Sequence, residues 1–322
     1  MGFLLQAPLN LAYTLPQAKP VDYAITLKLD GFIPVLGGVE GNAQANVVIA
    51  VQGLLPDSDG NAQGAYELRD LHLLFNDNPI SEVTTESAKP FFPRTTVSLS
   101  PLGKVLKTDA PDVKLPIRLP GLDVKRFPEA TFLSVELPPD GVTAGKTWTY
   151  KKVFGDSEVD ESLTAVSVAP NRIEFSIQMN QTLDTVEDAS LAIPADPKDA
   201  VSKVHTVMQG QGKAVFDPVA GLLESSVVDA DSVSTVTTIA TNAVTQRKLH
   251  TKLDVELSPE PDTATPPPAT DQPKPTKVQQ LRALAELYWR LALEQAEPYV
   301  RAIRSYVAQE IAQIESVMNK PE

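Results

Sequence analysis

The chain has 322 residues, 28 prolines, no cysteine and a formal net charge of −13. Without cysteine it can form no disulfide, no thiolate nucleophile and no cysteine metal site. Its acidic surplus disfavours a nucleic-acid partner, because such binding needs a surface that neutralises phosphates. Its proline content exceeds the usual ~5% and argues against a mostly helical body. The sequence contains no run of roughly 18 apolar residues, so no transmembrane helix is predicted.

Residues 1–257 are predicted to be β structure. Tyr23, Ile25, Leu27 and Leu29 alternate with polar residues, and a period of two is typical of a strand with one buried face. Residues 56–61 (PDSDGN) follow the second strand and have the composition of a turn. The alternation recurs along the body, in residues 47–51, 66–75, 131–137, 173–179 and 249–257.

A weak internal repeat relates residues 97–106 (VSLSPLGKVL) to residues 214–223 (AVFDPVAGLL). Each reads as a strand, a Ser-Pro or Asp-Pro turn and a returning strand, with Gly103 or Gly221 suited to the left-handed conformation. The repeat predicts two similar antiparallel β units, residues 1–122 and 123–257, forming a curved sheet or half-barrel. The alternative is that Pro-Gly hairpins are common and these two are unrelated.

Beyond the β body the composition changes twice. Residues 258–275 contain seven prolines and are predicted to form an extended polyproline II linker. Residues 276–322 are rich in helix formers and are predicted to form a C-terminal α-helical segment with apolar stripes. We expect this segment either to pack on the body or to mediate self-association or protein binding, through Leu284, Tyr288, Leu291, Ile303, Val307, Ile311 and Ile314.

No residue is predicted to be catalytic, to bind a cofactor or to bind a metal, and the chain is not expected to be an enzyme. His72, His205 and His250 lie in strand-like runs without a second ligand at metal spacing. Residues 57–61 resemble the start of a calcium loop, but Glu67 is too close to supply its distal ligand. The acidic residues of 156–161 are interpreted as a solvated loop, and Trp148 and Tyr150 as facing the core of the second unit.

Several short segments resemble a group of uncharacterised exported bacterial β-rich proteins, namely residues 11–13, 21–26, 100–105, 137–138 and 145–148. The resemblance implies export and a β fold over residues 10–257, and implies no activity. A half-barrel like that of envelope lipoprotein carriers would add an apolar concave face. Residues 1–8 lack a basic region and are not a complete secretory signal. We therefore predict an extracytoplasmic location with the leader absent from this chain, and cytoplasm as the alternative.

Three functions remain after these exclusions. The modular layout without a chemical motif predicts a non-catalytic extracytoplasmic structural or interaction protein whose C-terminal helix docks on itself or on a partner. The alternative is a carrier of an apolar, lipid-like ligand in a β cavity. A hydrolase that uses acidic residues is less favoured, because no pair of carboxylates stands out among 41 acidic residues.

Overall fold

Twelve antiparallel strands form one sheet in a computed structural model of the chain. The structure describes residues 8–33, 39–58, 61–81, 83–89, 92–109, 127–154, 157–187 and 200–258. Within them the α-helices are short, Thr85–Ala88 (α1) and Phe127–Ala130 (α2). The prediction of a mainly antiparallel β body is confirmed. The proline-rich linker beyond Ser258 and the C-terminal helical segment lie outside the described residues.

Most strands are long, and the shorter ones lie in the first half of the chain. The strands are β1 Val21–Ile33, β2 Val39–Leu54, β3 Ala62–Phe75, β4 Asn78–Pro79, β5 Thr95–Leu99, β6 Val105–Asp109, β7 Thr147–Phe154, β8 Ser157–Ala169, β9 Arg172–Glu187, β10 Ser202–Asp217, β11 Leu222–Thr238 and β12 Val244–Leu257.

The sheet consists of two meanders that join at the first and last strands. Its order is β6-β5-β3-β2-β1-β12-β11-β10-β9-β8-β7, with β4 beside β3. Strand β1 pairs with β12 from Tyr23 opposite Leu257 to Gly31 opposite Leu249. The β1–β12 pairing therefore joins the two meanders into one open sheet, through contacts between residues more than two hundred positions apart. Whether the two meanders are duplicates, with a boundary at residue 122, stays a prediction.

One face of the sheet, here called the inner face, carries the core. Tyr23, Ile25 and Val51 lie on it and are at most 3% exposed. The sheet curls around this face, as shown by the contact between Arg247 of β12 and Glu187 of β9, two strands that are separated by β11 and β10. In a flat sheet such strands would be about 14 Å apart at ~4.8 Å per spacing. The opposite, outer face carries polar residues such as Lys28 and His250.

Two segments without regular structure fill one end of the inner face. The first precedes β1 and buries Leu11, Tyr13 and Leu15; we call residues 9–15 the N-terminal strap. The second comprises residues 131–142, where Phe132 packs against the rings of Tyr23 and Tyr66 at centroid distances of 5.8 and 5.9 Å. The prediction of a strand over 131–137 is wrong: this segment is a loop that is buried on nearly all sides, because it lies inside the curl.

Both predicted Pro-Gly hairpins are present and both touch the strap. Gly103 and Gly221 have φ angles of 88° and 69°, which confirms their left-handed conformation. Tyr13 donates its amide to Pro101 O at 2.8 Å, and Thr14 donates to Gly221 O at 2.9 Å. The predicted turn at 56–61 lies only partly in the described residues; there Asp57 N donates to Asn61 O, and Asn61 donates from its backbone and its side chain to the Asp57 carboxylate.

Candidate functional site

The candidate site is the part of the inner face that the strap and the buried loop do not fill. The strand register places its side chains in rows across β9, β10, β11 and β12. Nearest the core the rows are Ile177, Gly212, Val228 and Leu253, then Met179, Gly210, Ala230 and Thr251. Farther out they are Gln181, Met208, Ser232 and Leu249, then Leu183, Thr206, Ser234 and Arg247.

The inner rows are apolar and only partly covered. Leu27 and Leu29 of β1 continue them past β12, opposite Leu253 and Thr251. Leu27, Leu29, Met179 and Leu253 are all of intermediate exposure, whereas Ile25, one row deeper, is 3% exposed. Water therefore reaches apolar side chains within the curl, which is where a soluble fold normally completes its core.

The outer rows line a cavity of about 110 Å³, which corresponds to the space of a few water molecules. Its lining is both apolar and polar. The apolar members are Phe32, Leu183, Val204, Met208 and Leu249, and the polar members include Gln181, Thr185, Thr206, Ser232, Ser234 and Thr251.

An ion pair lies at the outer end of this cavity. Arg247 Nη1 donates to both carboxylate oxygens of Glu187 at 2.8 Å. The two side chains are 21% and 19% exposed, so the pair is shielded from much of the solvent. The guanidinium carbon also lies 4.2 Å from the centre of the Phe32 ring, a cation–π contact that holds the arginine in place. The pair itself carries no net charge.

Hydroxyl groups lie in the outer rows, beside Arg247 and one row closer to the core. Thr206 Oγ1 and Ser234 Oγ are 2.8 Å apart on neighbouring strands, and Ser232 Oγ donates to Leu249 O at 3.1 Å. A hydroxyl group has one donor and two acceptor positions, so each of these groups keeps capacity for a ligand atom. Chemically, the site offers the partly exposed apolar side chains of the inner rows, here called the trough. The trough leads to neutral hydrogen-bonding groups.

A second polar cluster lies beneath the buried loop and has a structural role. Lys152 Nζ is 3.2 Å from Glu161 Oε1 and donates to the backbone oxygens of Glu129 and Ser134. Both Lys152 and Glu161 are almost completely buried. The interpretation of 156–161 as a solvated loop is wrong for Glu158, Asp160 and Glu161, because they lie in β8, and Glu161 also faces inward; Asp156 lies outside the described residues. The exposed Glu158 and Asp160 face Lys151 instead.

Trp148 and Tyr150 of β7 face the core, as predicted. They complete this cluster. Trp148 Nε1 donates to Glu136 O at 2.8 Å, and Tyr150 Oη donates to Ser134 O at 3.2 Å. Burial, and then the Glu161 carboxylate, raise the pKa of Tyr150. Burial likewise raises the pKa of Glu136. Since most of these bonds end on backbone atoms of the loop, the cluster fixes the loop to the sheet.

The three histidines lie in strands, as predicted, but on the outer face with aspartate neighbours. His205 Nδ1 is 2.7 Å from Asp184, and His250 Nδ1 is 2.9 Å from Asp231. His72 lies 3.0 Å from Asp70. Among the described residues, no three side chains of the metal-binding types are arranged so that they could hold a metal ion. The seven predicted partner-binding residues, Leu284 to Ile314, lie outside the described part of the chain, so docking through them stays a prediction.

The residues of the cavity were not predicted from the sequence. Val204, Thr206 and Met208 do alternate with Lys203, His205 and Val207, but a period of two with threonine on the inner side is weak evidence for burial. The contact of Arg247 with Glu187 joins residues sixty positions apart, and only the fold reveals it. A charged residue in the inward register of a predicted strand is the signal that could have pointed to Arg247.

Comparisons with known proteins show no family. No family model and no curated protein matches the chain. Among solved structures, one described as "Lipid-protein interactions in lipovitellin" is similar at 8% identity and a TM-score of 0.45; the match covers 76% of this chain but only 26% of that one. DynF, from the dynemicin biosynthesis pathway of Micromonospora chersina, matches at 10% identity and a TM-score of 0.20, covering 82% of this chain and 96% of that one. In the described residues, neither helix is of a length and hydropathy that could cross a bilayer.

Proposed function

We propose that the chain is a non-catalytic carrier that binds an apolar or amphiphilic molecule on the inner face of its sheet. The observation that carries this proposal is the set of half-exposed apolar rows that leads from the core into the cavity. Ligand sites are usually concave and mainly apolar, with a few polar groups that fix orientation. The inner face of this sheet has that composition.

Small side chains pack closely in the apolar rows. Gly210, Gly212 and Ala230 occupy the middle strands of these rows, with Ala43 and Ala45 on β2. Met179 covers Gly210, since a Cβ added to that glycine would lie 2.6 Å from Met179 Cγ. Leu27, Leu29 and Leu253 line the same rows, and covering them would contribute about 25 cal/mol for each Å² of apolar surface removed from water.

The first test replaces one apolar side chain of the trough by a charged one. Leu29→Glu places a carboxylate opposite Thr251, which lines the cavity. The matched control is Lys28→Glu, because Lys28 is the neighbouring residue on the same strand and is exposed on the outer face. Both variants are compared with the unchanged chain by titration with the neutral dye 1-N-phenylnaphthylamine.

We expect L29E to weaken dye binding by about tenfold or more, since an unpaired charge in an apolar site is costly. We expect K28E to bind within about twofold of the unchanged chain, because its carboxylate stays in water. Equal binding by both variants would place the dye elsewhere and contradict the proposal. Mass spectrometry of solvent extracts of the purified chain gives an independent measurement, and clean extracts from several expression hosts would count against a carrier.

Two further parts of the proposal rest on the sequence alone. The extracytoplasmic location is supported by the acidic, proline-rich β body. Docking through residues 276–319 is supported by their apolar stripes. Both are compatible with a carrier that exchanges its ligand with another component of the cell envelope.

A further inference from the structure

We propose that the ligand is an uncharged amphiphile with a small oxygen-bearing head group, such as a monoacylglycerol or a fatty alcohol. The inference rests on the carrier function proposed above and specifies its ligand. It follows from the change of chemistry along the inner face, from apolar rows near the core to outer rows that mix apolar side chains with hydroxyl groups and the Glu187–Arg247 pair.

The order of the rows sets the orientation of the ligand. Leu27, Leu253 and Met179 lie on the core side, and Thr206 and Ser234 lie on the side of the Glu187–Arg247 pair. An acyl or alkyl chain matches the first set, and a hydrogen-bonding group matches the second. The ligand would therefore lie with its chain along the trough and its head group in the cavity.

The volume of the cavity limits the head group. About 110 Å³ accommodates a hydroxyl, an ester or a glycerol-sized group rather than a sugar ring, since a single water takes ≈ 30 Å³ of liquid. Ser232 already donates to Leu249 O, and one of Thr206 and Ser234 donates to the other, so these three hydroxyl groups keep one O–H donor and several acceptor positions for a ligand. They suit a neutral head group, which also needs both kinds of partner.

The charges of the cavity wall decide against an ionic head group. Arg247 is the cation that the inner face presents there, and Glu187 neutralises it through both carboxylate oxygens. Lys248 belongs to the lining, but it is exposed and its position alternates with the inner-facing Arg247 and Leu249. A carboxylate head group would lose its water without gaining a free cation, in a chain of net charge −13. An ammonium head group would find Glu187 already paired.

The test compares ligands that share one chain length and differ in head group. Decanoate, decylamine, decanol and 1-decanoylglycerol, each below its critical micelle concentration, compete with 1-N-phenylnaphthylamine for the full chain at pH 7.5. We expect decanol and 1-decanoylglycerol to displace the dye at concentrations at least about tenfold lower than decanoate or decylamine.

A variant changes the charge of the wall without changing its shape. Glu187→Gln leaves Arg247 without its carboxylate. It should lower the decanoate concentration that displaces the dye by about tenfold, and change the corresponding 1-decanoylglycerol concentration by less than about threefold. The matched control is Glu224→Gln, because Glu224 also pairs with an arginine, Arg172, at 2.9 Å and neither residue lines the cavity. It should leave both ligands unchanged.

The outcomes separate this inference from the carrier function. Displacement by decanoate as strong as by 1-decanoylglycerol, or an unchanged ranking in E187Q, would overturn the head-group inference while the carrier function stands. Failure of the unchanged chain to bind the dye or any of the four amphiphiles would overturn both. If E187Q does not fold, the ranking measured on the unchanged chain decides alone.

Discussion

Lys152 is a charged residue that lies buried on the inner side of strand β7. Its ammonium group meets Glu161 and two backbone oxygens of the buried loop. A buried charge is tolerated only when it is paired and hydrogen-bonded. The contacts of Lys152 therefore connect β7, β8 and the loop over the core, and the loop depends on them for its position.

We expect Glu161→Gln to lower the free energy of unfolding by about 3 kcal/mol, because it leaves the Lys152 charge buried without its counter-ion. The matched control is Glu158→Gln, which breaks the exposed contact with Lys151 and should cost less than about 1 kcal/mol. Urea unfolding followed by circular dichroism measures both. Equal midpoints for the two variants would show that the buried pair does not hold the loop.

At this scale the sequence predicted types of residue better than their partners. The inward side of Trp148 and Tyr150 followed from the period of β7, and the left-handed conformations of Gly103 and Gly221 followed from their turns. Glu161 was placed in solvent because four acidic residues in a short stretch resemble a loop. Its partner, Lys152, lies on the neighbouring strand β7. A contact between two strands leaves no mark on local composition.

Among the elements, the N-terminal strap has a special position, since it passes along both Pro-Gly hairpins. Tyr13 bonds to Pro101 and stacks edge-on against Phe216, with ring centroids 5.1 Å apart. Thr14 bonds to Gly221. The similar sequences of the two hairpins thus correspond to two turns that hold one segment between them.

We expect Gly221→Ala to lower the free energy of unfolding by at least about 2 kcal/mol. One part is the cost of a left-handed alanine, about 1–2 kcal/mol, and the other is a new Cβ only 2.8 Å from the backbone nitrogen of Thr14. Gly145→Ala is the matched control, because Gly145 has a φ of 80° and no atom within 4 Å of the added Cβ. It should cost about 1 kcal/mol.

The difference between these two variants in thermal or urea unfolding isolates the contact with the strap. Equal losses of stability would mean that the strap moves aside and contributes little. A larger loss in G145A would contradict the packing of the strap against the second hairpin.

The runs that alternate clearly were predicted, and the positions around the cavity were not. β1, β9 and β12 contain such runs, in residues 23–29, 173–179 and 249–257, and were found. Around the cavity the inner positions of β10 and β11 include Thr206, Ser232 and Ser234, and such residues are weak evidence for the buried side of a strand. Residues 131–137 alternate too, yet they form a loop. The curled sheet encloses this loop and buries both of its sides.

For the molecule as a whole, the decisive contact is the seam between β1 and β12. It joins the two ends of the β body and continues the rows of the core, since Ile25 lies between Val255 on one side and Val47 on the other. Tyr23 of β1 also donates its hydroxyl to Leu223 O of β11 at 2.8 Å. One core cluster includes Val51 and Leu99 of the first meander and Leu163 and Phe175 of the second. Such a core predicts one cooperative unit.

Native-state hydrogen exchange tests this expectation. Amides at the centres of β2 (47–51) and β9 (173–177) should open with free energies within about 1 kcal/mol of each other and of global unfolding. Amides of the edge strand β6 serve as the control, since edges fray locally and should exchange earlier. Should β2 open several kcal/mol below β9, residues 1–122 and 123–257 would be independently folding units, as the internal repeat predicts, and the seam would be a docking surface between them. Equal values would make the seam part of a single core, so that a ligand bound on β9–β12 also stabilises β1–β3.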